Sequence, residues 1–511
     1  MNTAKTPTLA DLSRLLQEKG SLSPVSEPLT AEEAALTITG ADCDSRVVKP
    51  HHLFICKGAQ FKSNYLSAAK QAGTVAYLCD EERADELKAI EPTLPALVTN
   101  QLRPAMADVS AAAFGHPDRE LTTIGITGTK GKSTTGYMVR SVLEAGSQHP
   151  TCGLIGSVEY FDGIEQEEAV NTTPESPDLW RHIANMRDSG LPYAVMEISS
   201  QALKYNRVDN LSLDVGAFLN IGYDHISPLE HPTWEDYFQS KLKIFDHAQA
   251  AVVNLNSDHA DRIMARSHEC TQVLTFSTTD STATVSAHDI QSLFGSIQFV
   301  CTTPSWKDPI KLVMPGLFNV DNALAAIAIC EYLHIPYEQV AEGLAHTKVP
   351  GRMELIPTPG RQVMGIVDFA HNKMSFEKFF PNVKKEFPGY KVIAVFGATG
   401  DKAVERRYEL PKAAAPYADK LIYTLDDPGY EKVEDICRTM AEATPAGADY
   451  EIIPDRAHAV QRAVDLAYSC DQPTLVCLLA RGTEGAEHIK GKLVPAPLDA
   501  DLFNDAVKRH S

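Results

Sequence analysis

Residues 121–134, Leu-Thr-Thr-Ile-Gly-Ile-Thr-Gly-Thr-Lys-Gly-Lys-Ser-Thr, decide the fold. Leu121 to Thr127 reads as a strand and Ser133 to Ala145 as a helix, so a glycine loop joins the two. Strand, glycine loop and helix in that order open a doubly wound α/β domain. A loop that holds a triphosphate needs glycines that let backbone N–H groups approach, a helix N-terminus aimed at the phosphates, and a lysine to neutralise charge. Gly128, Thr129, Lys130, Gly131, Lys132, Ser133 and Thr134 supply these parts, and the Ser133 hydroxyl suits the Mg²⁺ that travels with ATP. The general Gly-x-x-x-x-Gly-Lys-Ser/Thr pattern would need glycine at Ile126, so this loop is the variant Thr-Gly-Thr-x-Gly-Lys-Ser-Thr. A glycine turn with a solvated lysine is the plain alternative, disfavoured by the preceding strand and the Ser-Thr pair.

Outward from this loop, strands are expected at Tyr193 to Ile198, Val215 to Asn220 and Ala251 to Leu255, the spacing of a parallel sheet with helical crossovers. This central ATP-binding unit, residues 116–348, ends after a helix expected over Asn319 to Leu333. Before it, Leu53 to Cys56 and Val75 to Cys79 read as strands around a helix at Tyr65 to Ala72. They make a small α/β domain over 1–115, closed where Gly115, His116, Pro117 and Asp118 break an alanine-rich helix. After it, strands at Gly365 to Phe369, Lys391 to Phe396, Lys420 to Tyr423 and Thr474 to Leu479 make a third, Rossmann-like α/β sheet over 349–511. Three α/β domains about a shared cleft are expected, and 511 residues at roughly 150 per domain agree.

The bulk numbers exclude several classes. A hydrophobic fraction of 44% with 22% charged residues is that of a globular chain. The formal charge of −20, with no basic run to offset it, argues against nucleic acid and anionic membranes as partners. Ten scattered cysteines without a Cys-x-x-Cys pair read as thiols of a reducing compartment. Met1 to Gly20 has no signal-peptide core and no stretch approaches about 18 apolar residues, so no membrane insertion and a cytoplasmic location are expected. A monomer is expected.

The loop variant, together with motifs on both sides of it, resembles the Mur ligase family, and within it the branch of tripeptide synthetases (MurE). The resemblance is carried by Asp44-Ser45-Arg46, Asn171-Thr172-Thr173-Pro174, Met196-Glu197-Ile198-Ser199-Ser200, Arg207, Asn220, Asp224-His225 and Tyr237 with Lys241. It continues through Gly316-Leu317-Phe318-Asn319-Val320, Gly351-Arg352-Met353-Glu354 and Asp368-Phe369-Ala370-His371. Each is weak alone; in this order over nearly the whole chain they are specific. The resemblance implies an ATP-dependent amide ligase of peptidoglycan precursor synthesis, joining a UDP-N-acetylmuramoyl-peptide carboxylate to an amine through an acyl phosphate. Bringing a carboxylate to a γ-phosphate demands concentrated positive charge and Mg²⁺. Lys132, Glu197, His225 and Lys241 are the implied catalytic set, and Ser133, Glu197, His225 and a carbamylated Lys241 the implied metal ligands. Without the family, His225 reads as a hydrogen-bonded loop histidine and Lys241 as part of a solvated helix face. Asn220 and Asn319 are implied on the nucleotide, Asn319 near adenine, with Arg352 toward the γ-phosphate and Asp368 toward the ribose. Contacts from two domains imply closure that keeps water from the acyl phosphate.

For the UDP-muramoyl-dipeptide, the resemblance implies Ser45 at the uridine end and Thr172, Thr173, Ser199 and Arg207 along the peptide. Gln201 replaces a common histidine after the Ser-Ser pair, and Phe61-Lys62-Ser63 replaces the family's Asp-Gly-His. Arg207 suits a D-glutamyl carboxylate, which guanidinium pairs bidentately. For the incoming amino acid it implies Arg407 on the α-carboxylate, with Asp426, Asp427 and Glu484 near the amines. Ligases that add meso-diaminopimelate carry Asp-Asn-Pro-Arg where this chain has Asp426-Asp427-Pro428-Gly429. Gly429 cannot pair a terminal carboxylate and Asp427 suits a terminal ammonium, so L-lysine is expected, with L-ornithine or another diamino acid next. A loop turn without ligand contact is the plain alternative for this stretch. Competing readings of the chain are meso-diaminopimelate addition, a folylpolyglutamate synthetase or a Mur-type ligase of another pathway and, in a different class, a non-ligating ATP-dependent switch.

Overall fold

The computed structural model describes residues 6–58, 60–224, 226–227 and 230–510. Three principal sheets, each with its own apolar core, organise an α/β fold of three domains. Contacts divide the chain into two compact units. The first is Met1–Ser286 with Thr303–Trp306 and Leu324–Val340; the second is Ala287–Thr302, Lys307–Ala323 and Ala341–Ser511.

In the first unit, β1 (Gly40–Asp42), β2 (His52–Ile55), β3 (Ala76–Asp80) and β4 (Ala96–Thr99) pair in parallel in that order. A parallel sheet must be covered on both faces, which is why these short runs are almost wholly apolar. The helices Leu9–Glu18 and Leu102–Ala113 bring Leu9, Leu12, Leu16, Met106 and Val109 to one core, and Asn64–Ala72 brings Leu66 and Ala69 to the other.

The same unit holds β5 (Thr122–Thr127), β6 (Cys152–Ile155), β7 (Glu159–Phe161), β8 (Gln166–Glu168), β9 (Tyr193–Glu197), β10 (Leu213–Phe218), β11 (Ala248–Asn254) and β12 (Gln272–Ser277). Their order is β12-β11-β10-β5-β9-β6-β7-β8. From β12 to β6 every pairing is parallel, with Ile126 level with Glu197 and Thr127 level with Phe218. The carboxyl ends of β5, β9 and β10 therefore share one edge, where open α/β sheets place ligands. β7 and β8 extend the sheet antiparallel, a feature the sequence pattern does not announce because β8 is Gln-Glu-Glu and exposed.

β13 (Val285–Leu293) begins in the first unit, pairing Val285 and Ser286 with Phe276 and Ser277, and leads into the second. There β14 (Ser296–Thr302) and β15 (Lys307–Leu312) form an antiparallel pair. β16 (Glu354–Pro357), β17 (Val363–Asp368), β18 (Lys391–Phe396), β19 (Lys420–Tyr423), β20 (Tyr450–Ile452) and β21 (Thr474–Leu479) form a sheet of order β16-β17-β21-β18-β19-β20, parallel except at β16. β22 (Ala486–Ile489) and β23 (Lys492–Pro495) make a separate hairpin. Arg456 and Asp499, both buried, pair through two hydrogen bonds of 2.8 and 2.6 Å, and the same guanidinium also donates to Leu425 O and Leu479 O. That tie holds the exits of β19 and β21. All ten cysteines are free thiols, and no helix among the described residues is long and apolar enough to cross a membrane.

Ala480 leaves β21 with φ of 86° while buried, a left-handed conformation that costs a residue with a Cβ about 1–2 kcal/mol. Ala480→Gly is expected to stabilise the protein by about 1 kcal/mol after the extra entropy of glycine in the unfolded chain is subtracted. Denaturant melting of the two proteins checks this, and a lower midpoint for the variant contradicts it.

Candidate active site

The loop after β5 is shaped by its neighbours. Gly131, φ 92°, caps the helix Lys132–Glu144 in a left-handed conformation that glycine adopts without penalty. The N–H groups of the first turn, with the hydroxyls of Ser133 and Thr134, make an end of the kind that binds anions. Asn220, two residues beyond β10, accepts Lys130 N–H on Oδ1 and donates from Nδ2 to Lys130 O, each at 2.9 Å. Its amide thus shapes the loop itself. Thr129 Oγ1 accepts Gly222 N–H at 3.0 Å and lies 3.0 Å from the Tyr237 hydroxyl, while Lys130 Nζ pairs with Asp224 at 3.2 Å.

Two lysines converge on one carbonyl. Lys132 Nζ and Lys241 Nζ donate to Gly128 O at 3.0 and 2.8 Å. Lys241 is only 2% exposed, on the helix Trp234–Leu242. Burial drives its amine well below the ordinary lysine range, and the charges of Lys132 and Lys130 push the same way against Asp224.

Glu197 ends β9 and is 1% exposed. Its Oε1 accepts Ser157 N–H at 2.8 Å and its Oε2 the Ser157 hydroxyl at 3.2 Å; a Cβ on Gly156 would overlap Oε1. Among the described residues no cation pairs with it, so a buried carboxylate at the strand edge retains acceptor capacity for a positive ligand. His225 lies outside the described residues.

The peptide-binding candidates of the first unit assemble beside Glu197. Thr172 Oγ1 lies 2.9 Å from Ser157 Oγ. Thr173 Oγ1 donates to Glu197 O at 2.9 Å and accepts Ser199 N–H at 3.0 Å. Arg207 donates to Thr173 O at 3.0 Å and pairs with Glu175 at 2.9 Å, leaving its Nε buried without a partner among the described residues. Glu175 also pairs with Lys57 at 3.0 Å. Burial would raise its carboxyl, but Lys57 and Arg207 outweigh that and hold it below the usual range. Ser199 caps the helix Ser200–Lys204, and Gln201 Nε2 donates to Glu230 at 3.0 Å. Ser45 lies in a turn after β1 where Asp44 accepts Arg46 N–H at 3.0 Å. Ser157, Glu175 and Lys57 were not among the sequence candidates. Glu175 directly follows Asn171-Thr172-Thr173-Pro174, the signal that could have found it.

The second unit carries the remaining candidates. Asp368, at the end of β17, accepts Met353 N–H at 2.7 Å and Ala370 N–H at 2.8 Å, and the Arg352 guanidinium lies 4.5 Å over the Phe369 ring. Asn319 donates to Pro315 O at 2.7 Å and accepts from Asn322 at 2.8 Å. Arg407 is gripped by Glu431 at 2.9 and 2.6 Å and donates to Thr399 O at 3.1 Å, its Nε buried without a partner among the described residues. Asp426, just beyond β19, is buried, which raises its carboxyl. Asp427 accepts from His488 N–H at 2.6 Å, lies 2.9 Å from His488 Nδ1 and 3.3 Å from Lys402 Nζ. The Gly429 N–H donates to His488 O at 2.9 Å, strapping this loop to the β22–β23 hairpin. Glu431, Lys402 and His488 carry no motif that marks them in the sequence.

Comparison with known proteins accords with this geometry. Residues 126–330 match the Mur ligase middle domain and residues 351–482 the Mur ligase glutamate ligase domain. The chain is 34% identical to a UDP-N-acetylmuramyl-tripeptide synthetase of Bifidobacterium longum, over 97% of this chain and 98% of that one. It is 34% identical to a UDP-N-acetylmuramoyl-L-alanyl-D-glutamate--L-lysine ligase of Enterococcus faecalis, covering 89% and 88%, and 33% identical to a 2,6-diaminopimelate ligase of Caldanaerobacter subterraneus, covering 90% and 92%. A solved structure of a UDP-N-acetylmuramoyl-L-alanyl-D-glutamate--2,6-diaminopimelate ligase shares the fold, with a TM-score of 0.65 at 23% identity over 95% of this chain and 97% of that one. A phosphate loop of the ligase variant, a buried carboxylate and a buried lysine at one sheet edge, and matches across the whole length place this chain in the Mur ligase family, among the ATP-dependent ligases most like the tripeptide synthetases.

Proposed function

We propose that the protein joins L-lysine to the D-glutamyl carboxylate of UDP-N-acetylmuramoyl-L-alanyl-D-glutamate at the expense of ATP, in the cytoplasm, with domains at 1–115, 116–348 and 349–511. The observation that carries the ligase chemistry is the shared edge of β5 and β9, where Lys132, Lys241 and Glu197 lie around the phosphate loop. The loop N–H groups and Lys132 bind the triphosphate, and Arg207, with its unsatisfied Nε, takes the substrate carboxylate between Thr173 and Ser199. The γ-phosphoryl group passes to the glutamyl oxygen, ADP leaves, and the amine displaces phosphate from the acyl carbon. Asn319, Arg352 and Asp368 carry the nucleotide roles that the family motifs give them, and Ser45 the uridine end.

The residues present fit Mg²⁺. The oxygens of Ser133, Glu197 and a Lys241 carbamate would suit a hard cation, with His225 offering a ring nitrogen, and Glu197 has no cationic partner among the described residues. Bound there, the ion neutralises phosphate charge during transfer. The depressed basicity of Lys241 favours the carbamate: a neutral amine adds CO₂ through its nitrogen and releases one proton, so an uncharged group becomes an anion.

The choice of L-lysine rests on the second unit. Gly429 offers no side chain to a second carboxylate, and a Cβ there would overlap Asp401 Oδ2. Asp426, Asp427 and Glu484 make an acidic surround for an ammonium group, which takes the place Lys402 Nζ holds beside Asp427. The α-carboxylate satisfies Arg407 Nε. Glu484 reports the electrostatics: burial, then Asp426 and Asp427, push its carboxyl up to about 7.

ADP release is expected only when both the UDP-muramoyl-dipeptide and an amino acid are present, and in competition L-lysine is used before L-ornithine and meso-diaminopimelate. Turnover without the nucleotide peptide sinks the ligase reading; preference for diaminopimelate sinks the lysine assignment alone. Lys241→Ala is expected to lose activity and regain part of it with added short carboxylates that stand in for the carbamate, whereas wild-type rates in the variant remove Lys241 from the site. Because the folded state holds the Glu484 proton up to about 7 and the unfolded chain releases it near 4.5, Glu484 takes stability away as pH rises through that window. Glu484→Gln is therefore expected to melt above the wild type at pH 8 and to lose that advantage at pH 4.5. Calorimetry of L-lysine binding near pH 7 in two buffers of different ionisation enthalpy is expected to show proton release that the variant lacks.

A further inference from the structure

We infer that His231 is a positioning residue that ties the dipeptide pocket to the helix bearing Lys241; this rests on the ligase reading above. The imidazole is fully buried and both nitrogens are engaged. Nδ1 lies 2.6 Å from Asp236 Oδ2 and Nε2 lies 2.9 Å from Ser200 Oγ. Asp236 sits in the first turn of the helix Trp234–Leu242, whose Tyr237 and Lys241 contact Thr129 and Gly128 of the phosphate loop. Ser200 opens the helix Ser200–Lys204, one residue after Ser199 and one before Gln201. His231 O also accepts Ser227 N–H at 3.0 Å. Two helices that carry site residues therefore meet on one ring.

Asp236 accepts Nδ1–H, which leaves Nε2 bare to accept the Ser200 hydroxyl proton and sets one tautomer. Lys204 adds a second strap, with Nζ 2.7 Å from Asp236 and 2.9 Å from Glu230 O. Burial would raise the Asp236 carboxyl, but Lys204 and His231 outweigh it and keep it ionised, so both straps are charge-assisted. Ser200, His231 and Asp236 stand in the order of a hydrolytic triad, but Ser200 is 4% exposed and the ring wholly covered, so no substrate reaches Oγ. The arrangement serves position. With the ring removed, Asp236 and Ser200 lose a buried partner, and the Ser199–Gln201 turn is free to shift against Glu197. Misplacing a reacting carboxylate by about 1 Å costs on the order of 100-fold in rate.

The test compares full-length wild type with His231→Ala, His231→Asn and Ser200→Ala. In steady-state kinetics, the alanine variant at 231 is expected to raise KM for the UDP-muramoyl-dipeptide about 10-fold and lower kcat about 10- to 100-fold, with KM for L-lysine within about twofold. His231→Asn keeps a donor toward Asp236 and is expected to recover part of both losses, as is Ser200→Ala, which cuts one arm only. Calorimetric binding of the dipeptide substrate without ATP is expected to weaken in the same rank order. Lower melting temperatures with wild-type KM for the dipeptide, or equal rises in KM for all substrates, overturn the inference. If His231→Ala does not fold, the other two variants decide. Absence of turnover in the wild type itself overturns the ligase reading instead.

Discussion

An ammonium group taken out of water must find oxygen atoms or lose its proton, and Lys241 meets both demands at once. Its Nζ donates to Gly128 O from a position 2% exposed, next to Lys132 on the same carbonyl. Two cations on one buried acceptor cannot both stay fully charged at low cost. Much of the first unit answers to that constraint. Asp224 supplies compensation through Lys130, Asn220 fixes the loop whose carbonyl is shared, and Tyr237 packs its ring 4.9 Å from the amine. Burial does most to depress that lysine, and the crowding of positive charge that adds to it makes the loop hospitable to phosphate.

The second unit shows the opposite polarity. Around the exits of β19 and β21 the carboxyls of Asp426, Glu484 and Glu487 are all raised by burial, against Arg481 and Arg456. A chain with net charge of −20 thus gathers cationic groups around the phosphate loop and acidic groups around the exits of β19 and β21. Local arrangement, not net charge, sets what each site binds.

The secondary structure was most legible in the longer runs buried on both faces, while the short buried strands β4 and β6 went unread. β18, β19 and β21 coincide with the expected runs, and the helices at Asn64–Ala72, Lys132–Glu144 and Asn319–Tyr332 begin or end within one residue of expectation. Continuous apolar runs between turn residues leave little choice. β8, β20 and the β22–β23 hairpin went unread because their residues are largely polar or exposed; they form by pairing with a neighbour that is already in place. The expected strand from Val215 to Asn220 stops at Phe218, since Asn220 is drawn off to hold Lys130.

The sequence by itself determined the phosphate loop, the parallel strands that aim it and the family to which the motifs belong, because those features are local and their spacing is constrained by backbone geometry. Tertiary structure alone decided the partners. Asn220 meets Lys130 from 90 positions away, Lys241 meets Gly128 from 113, and Arg407 is met by Glu431 from 24. His231 had no motif at all, yet two hydrogen bonds place it between Ser200 and Asp236. Hydrogen-bond partners so far apart leave no periodic trace in the chain; only the folded sheet edge brings their atoms within reach of one another.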